Sequence, residues 1–336
     1  MGPQHELIPL AERGRWADAL SEVPHGHAHT WDLCRAIQLT SGLPTYLYRY
    51  ERGTARVVCP IAERDFDGAI DVTTPYGFGG FAMSGDCERF PEDWMDFARS
   101  RGWVCGYIAL NPLFCDGHGF ASDEVHVHNR LYVMDLGGSD RELHERLSRN
   151  RRRQLRNWSA VAAGLEHDRE RLTDHLLGTY EDFFARKGAG SATDFTAETM
   201  AAIASLDDVF LVGAGEGGQV ESVAVFAYTP YSGDALFSVS APGGERHAAH
   251  LVWAAVQRLR AEGVERLNLG GGVREGDDVA EFKRRFGASE LPLVSLRQVY
   301  QPSVYEQLCR QAAVTSDRAG WFPPYRAAGS SARRER

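Results

Sequence analysis

The sequence has no C-x-x-C pair; its six cysteines, Cys34, Cys59, Cys87, Cys105, Cys115 and Cys309, are scattered. That spacing offers neither a zinc ribbon nor a paired redox motif, and suits buried or idle thiols in a reducing compartment. No apolar run is long enough to cross a bilayer, and the opening "MGPQHELIPLAERGRW" contains no apolar signal core. A cytoplasmic protein with no stable membrane insertion is therefore expected. Positive charge is not in excess either: 37 Lys and Arg stand against 46 Asp and Glu, a net charge of −9. Such a chain is not basic enough overall to coat nucleic acid, so any anion site must be a local patch. The twelve histidines show no metal-ligand spacing, and "HGHAH" (His25, His27, His29) reads as a polar loop. No metal and no cofactor is expected.

What is present is ordinary globular composition. The 336 residues are 43% hydrophobic and 25% charged, enough for one large domain or two ordinary ones. The small, polar, basic ending "AGSSARRER" is expected to fray.

The punctuation of the chain repeats. In the first half "PTYLYRYE" alternates like a strand and turns at Arg52-Gly53; "ARVVCPIAER" follows and turns at Asp67-Gly68; "AIDVTT" is a third strand. After the glycine break "PYGFGG" comes the helical "PEDWMDFARSRG", then the strand "WVCGYIAL". In the second half "DVFLVGA" turns at Gly217-Gly218, "VESVAVFAY" turns at Ser232-Gly233, and "ALFSVS" breaks at Pro242-Gly243-Gly244. The helix "ERHAAHLVWAAVQRLRAEG" places Ala248, Leu251, Val252, Ala255, Val256 and Leu259 on one face, Gly263 caps it, and "ERLNL" is the last strand. Corresponding turns lie 161–165 residues apart, which implies a duplicated unit. Each unit is an antiparallel meander, a crossing helix and a returning strand, so mixed sheets are expected. This order is similar to the GNAT acyltransferase core.

An acyl-CoA-using GNAT needs a Q/R-x-x-G-x-G/A loop whose N–H groups hold the pyrophosphate. In "SAPGGERHAAHL" the glycines precede the arginine, and in "ARKGAGSATDF", with Gly188 and Gly190, the basic position is Ala185. Neither reads as a CoA cradle.

The stretch "LNLGGG…DDVAEFKRRFG" makes a more specific match. With the doubled GNAT pattern it resembles the Fem family of aminoacyl-tRNA-dependent aminoacyltransferases. "HTWDLCRA", "TTPYGFGG", "LSRNRRRQLRNW" and "FPPYR" resemble that family's opening helix, first-domain glycine turn, arginine-rich linking helix and C-terminal ending. The resemblance implies an α/β (α+β) fold of two tandem GNAT-like domains with mixed sheets. The first would hold residues 1–138 with 300–336 returning to it, the second 139–299. It implies transfer of an amino acid from aminoacyl-tRNA to an amine acceptor, either a peptidoglycan precursor or a small metabolite. The alternative keeps the fold and takes the acyl group from CoA or a carrier protein, onto an amino sugar or metabolite.

Amine attack on an ester creates an oxyanion, and the donor's phosphates must be held nearby. Lys283 is the expected catalytic cation, since the family's matching lysine sits near the tRNA acceptor end and the reacting ester. Phe282 and Phe286 either wall the site, as a stacking face for the terminal adenine, or anchor one helix face in the core. Arg284 and Arg285 are candidate phosphate contacts. Ser139-Asp140-Arg141-Glu142 fits a capping box, so a helix should begin there. Seven arginines lie between Arg141 and Arg156, of which Arg149, Arg152, Arg153 and Arg156 share one helical face. That face either tracks tRNA phosphate or is merely solvated. Arg35 occupies about the place of a family cation that meets acceptor phosphate. Tyr76 lines the acceptor groove or packs beneath its turn. Gly271, within Gly270 to Gly272, lets a ligand or a second backbone approach closely. Asp277 and Asp278 are placed to cap the helix that carries Lys283.

Overall fold

The computed structural model describes residues 2–187, 195–272 and 276–327. The glycine loop around Gly188 and Gly190 and the tail "AGSSARRER" lie outside them. The first part of the chain runs β1 (Gln4–Pro9), α1 (Arg13–Ser21), α2 (Trp31–Ser41), β2 (Thr45–Arg52), β3 (Ala55–Phe66), β4 (Ala69–Thr73), β5 (Ala82–Ser84), α3 (Phe90–Ser100) and β6 (Cys105–Ala109). Strands β1 to β4 are an antiparallel meander, with Leu7 opposite Tyr48, Tyr48 opposite Cys59 and Ala62 opposite Thr73. Between β3 and β4, Asp67 (φ 52°) and Gly68 (φ 80°) both take the left-handed conformation that a tight two-residue hairpin requires. Helix α3 buries Phe90, Trp94 and Ala98 against the sheet and returns the chain as β6, parallel to β4.

After β7 (Val125–Asp135) come α4 (Asp140–Arg146), α5 (Arg149–Gln154), α6 (Trp158–Ala162), α7 (Arg169–Lys187) and α8 (Ala197–Ser205). The same motif then repeats: β8 (Val209–Ala214), β9 (Ser222–Tyr228) and β10 (Gly233–Ser240) are antiparallel. Helix α9 (Ala248–Ala261) crosses over, and β11 (Arg266–Gly271) lies parallel to β10. The chain continues through α10 (Asp278–Arg284), β12 (Ser289–Val299) and α11 (Pro302–Gln311). The apolar stripe of α9 is the reason it crosses: Leu251, Ala255, Val256 and Leu259 are wholly buried. Full burial stabilises by about 1.5–3 kcal/mol per large side chain.

The chain divides into two units, residues 1–24, 28–128 and 292–336 in one and 25–27 and 129–291 in the other. The division falls inside β7 and β12, not at turns. The first unit keeps the end of the chain: β12 adds antiparallel to β6, with Ser295 opposite Ala109. Tyr325 Oη and Arg326 Nε then donate to the buried Asp71 carboxylate at 2.9 Å and 2.6 Å, and Arg64 reaches the same group. The second unit keeps β7, antiparallel to β11. Its core gathers Tyr132, Phe226, Leu259, Leu267 and Phe286.

Candidate functional site

Strands β10 and β11 stay paired at only two places, Gly233 opposite Leu267 and Asp234 opposite Asn268. Beyond them β10 bulges between Ala235 and Phe237, and β11 shifts register against β7 between Asn268 and Gly271. The glycines explain the second irregularity. Gly270 has φ 77°, a conformation an L side chain rarely adopts, and its N–H is held by Asn268 Oδ1 at 2.8 Å. The next two carbonyls accept from side chains. Gly271 O accepts from Lys283 Nζ at 2.6 Å, and Gly272 O accepts from Asn129 Nδ2 at 2.7 Å.

Lys283 arrives on α10. Asp277 is the N-cap, its Oδ1 accepting from Ala280 N at 2.7 Å, with Asp278 in the first turn, as the aspartate pair implies. A Cβ placed on Gly270 would stand 3.4 Å from Lys283 Nζ, an ordinary contact, so the positive φ and not a lack of space is what calls for glycine here. Burial lowers the Lys283 pKa from 10.5 to about 8, and Asp277 pulls the other way. The lysine is also one of only two in the chain, Lys187 and Lys283, against 35 arginines. That scarcity is a signal in the sequence beside the motif. A short, deprotonatable cation is kept here where arginine is used almost everywhere else.

The two phenylalanines pack face to edge at 5.3 Å. Their partner is Arg151, whose guanidinium lies 4.4 Å above the ring of Phe282 and 4.0 Å above that of Phe286. Arg151 also donates to Phe282 O at 3.0 Å and to Gln154 Oε1 at 2.7 Å. It is only 3% exposed, and its burial, with Arg285 nearby, lowers its pKa to about 10. Phe286 is thus a core residue and Phe282 a half-buried floor beneath an arginine. A lysine cannot reproduce a planar stack with two fixed donors. Arg151→Lys is accordingly expected to lower the unfolding free energy by about 2–3 kcal/mol, read as a fall in the denaturation midpoint. Arg153→Lys is the control. Equal midpoints for both variants would show that the stack holds nothing together.

The arginine-rich stretch is not one helix. The capping box at Ser139 is present, with Ser139 N donating to Glu142 Oε2 at 2.8 Å. Yet α4 stops at Leu147, which is buried and extended (φ −67°, ψ 143°), and Ser148 caps a new helix, α5. Ser148 N donates to Arg285 O at 2.9 Å, which ties the break to α10. Arg149, Arg152, Arg153 and Arg156 then line an open groove of about 920 Å³ with His144, Asn150 and Leu155. Among the described residues no carboxylate lies within ion-pairing distance of these four. Arg141 and Arg146, on the preceding helix, are neutralised by Glu145 and Asp135. Arg284 pairs with Glu290 at 2.6 Å and Arg285 with Glu281 at 2.9 Å, so both of these candidates carry acidic partners.

In the first unit Tyr76 is 38% exposed within its glycine turn, and Arg35 lies on α2 with Gln38 Oε1 at 2.7 Å. The "HGHAH" stretch differs from its expected character: His27 and His29 are fully buried, and His29 Nε2 meets Gly80 O at 2.7 Å. The "APGGER" turn after β10 is filled by acid. Gly243 N donates to Glu245 Oε2 at 2.9 Å, and Arg246 pairs with Glu216 and Glu221. Asp234 lies in no motif, and Asn268, though it falls inside "LNLGGG", has no role assigned by the resemblance. Their sequence signal is a polar side chain set in an apolar strand, as in "RLNLGG".

No family model matches the sequence, and neither does any curated protein sequence. Solved structures do match. The chain is similar to FemX, with a TM-score of 0.64 and 12% identity over 91% of this chain and 99% of that one. The fold is the Fem-like tandem GNAT fold. Two further structures share this fold at a TM-score of 0.53. One is the C-terminal domain of a putative lysylphosphatidylglycerol synthetase from Agrobacterium fabrum, 17% identical over 89% of this chain and 97% of that one. The other is L-PGS from Bacillus licheniformis, 12% identical over 87% of this chain and 94% of that one. Among the described residues of this Fem-like fold, no helix is long and apolar enough to cross a membrane.

Proposed function

We propose that this protein is an aminoacyltransferase that moves an amino acid from aminoacyl-tRNA to an amine acceptor, with amide bond formation, in the cytoplasm. One observation carries the reading: four unneutralised arginines share a groove whose helix α5 is fastened, through Arg151, to the helix that presents the half-buried Lys283. A nucleic-acid donor supplies phosphates for such a groove and an ester for such a cation. FemX shares the fold, which agrees with this reading.

In the proposed reaction the acceptor's neutral amine attacks the ester carbonyl of the charged tRNA. The new C–N bond forms as the carbonyl becomes an oxyanion, stabilised by the Lys283 ammonium. The ester C–O bond then breaks, and the amine's proton passes to the departing ribose oxygen. Arg149, Arg152, Arg153 and Arg156 hold the tRNA backbone, with Arg284 and Arg285 beside the reacting end once their carboxylate partners yield. Phe282 gives the donor pocket an apolar wall and Gly271 its open floor. In the first unit Tyr76 and Arg35 serve the acceptor, a cell-wall precursor or a small amine-bearing metabolite.

The acid-filled "APGGER" turn argues against CoA as donor. Its Gly243 N–H meets Glu245 and its arginine meets two glutamates, which repels a pyrophosphate. The test supplies charged tRNA or acyl-CoA together with a panel of amines and detects the amide by mass spectrometry. Product from charged tRNA alone is expected, with no acetyl-CoA heat in calorimetry. Tight acetyl-CoA binding with CoA-dependent acylation would overturn the proposal.

A further inference from the structure

We propose that Asp234 and Asn268 are positioning residues that set the place of Lys283, through a hydrogen-bonded chain running from the last rung of β10 and β11 to the lysine.

The chain has three links. Asn268 Nδ2 donates to Asp234 Oδ1 at 2.9 Å, which fixes the orientation of the Asn268 amide. Its Oδ1 therefore faces the Gly270 N–H and accepts it at 2.8 Å. That bond holds Gly270 at φ 77°, and the turn delivers the Gly271 carbonyl to Lys283 Nζ at 2.6 Å. Asn268 is 3% exposed and lies between Leu267 and Leu269, both buried. A buried side-chain amide is kept in an apolar strand only where its bonds are used. Here both ends of the amide are used, and both uses lead to the lysine.

The position of the pair supports the same reading. Asp234 and Asn268 face each other at the final paired step, and the strands part immediately beyond. A group acting at this opening needs a fixed origin, and displacement of about 1 Å costs on the order of 100-fold in rate. Asp234 is itself backed by buried His27, which partly offsets the burial of its carboxylate.

The role in turnover rests on the aminoacyl-transfer reading; the placement of the lysine does not. The experiment separates them. With only two lysines in the chain, protein labelled with 13Cε-lysine gives two signals, assigned with Lys187→Arg. Three variants are compared: Asn268→Leu, which keeps the branched outline in a somewhat larger side chain and matches its neighbours; Asp234→Ala; and Asp234→Asn, which keeps an oxygen acceptor for Asn268. In Asn268→Leu and Asp234→Ala the Lys283 signal is expected to titrate closer to the ordinary lysine value of about 10.4. The transfer rate at saturating tRNA should fall by on the order of tenfold or more, with KM for tRNA nearly held. Asp234→Asn should behave like the parent in both measurements. A Lys283 signal unmoved in folded Asn268→Leu overturns the proposal whatever the activity. A moved signal in a protein that transfers nothing from charged tRNA leaves the positioning chain standing and removes the functional reading instead. If Asp234→Ala does not fold, Asn268→Leu and Asp234→Asn still decide the matter.

Discussion

Lys283→Ala is expected to slow turnover by on the order of 100-fold or more while leaving tRNA affinity almost unchanged. The reason lies in where the charge sits. Among the described residues its Nζ has one acceptor, the Gly271 carbonyl, which leaves further N–H bonds for an oxyanion that exists only during reaction. Removing such a group raises the barrier by a few kcal/mol and touches ground-state binding little. The pH dependence gives the sign of the role. The lysine's pKa is lowered to about 8, so the ammonium is present below that pH and is lost as pH rises through it. If the cation is the working form, turnover of the parent enzyme declines above about pH 8, with an acceptor whose amine is already neutral there. A general base at this position would give the opposite limb. Single-turnover rates with saturating charged tRNA decide it. A Lys283→Ala protein as fast as the parent would reduce Lys283 to a packing residue.

Replacing Arg149, Arg152, Arg153 and Arg156 together by glutamine should do the reverse. Each phosphate contact contributes roughly 0.7–0.9 to the slope of log affinity against log salt. Loss of four contacts is expected to flatten that slope by about 3 and to weaken binding at low salt by on the order of 100-fold or more. The maximal rate, reached with enough tRNA, should be nearly kept. Arg141 and Arg246 are the matched controls, because each already holds a carboxylate. An unchanged slope in the fourfold variant would rule out the groove as the docking face for tRNA.

The turns were the most legible part of the fold. Gly53, Gly68, Gly102, Gly218 and Gly263 mark the motif because hairpin and helix ends need a positive φ, whereas Gly233, the partner of Gly68, is a strand residue that leaves room for Leu259. The break at Leu147 was not legible. A serine followed by arginines looks helical from its neighbours alone, and the tertiary bond from Ser148 to Arg285 stops α4 and starts α5. Helical spacing puts four members of the arginine run on one face; the helix ends at Gln154, so Arg156 lies past it, yet the four line one groove. The buried member, Arg151, was not singled out, since its stack on Phe282 and Phe286 joins residues 131 or more positions apart. Phe282 had two readings in the sequence, and the geometry puts its face under Arg151. Asp234 and Asn268 were silent for a similar reason. One polar residue in a strand has meaning only when the facing strand is known, and parallel pairing across a crossover helix hides that neighbour.

The return of the chain's last residues to the first unit has a consequence for biosynthesis. Residues 129–291 supply nearly all of the second unit as one continuous stretch, whereas the first unit waits for 292–336. Until β12 emerges, β6 exposes an unpaired edge, and until Tyr325 and Arg326 arrive, the carboxylate of Asp71 has only Arg64. The half that is translated first is therefore the half that is finished last. For the time needed to make the second half, the nascent chain carries an open sheet edge of the kind that chaperones shield.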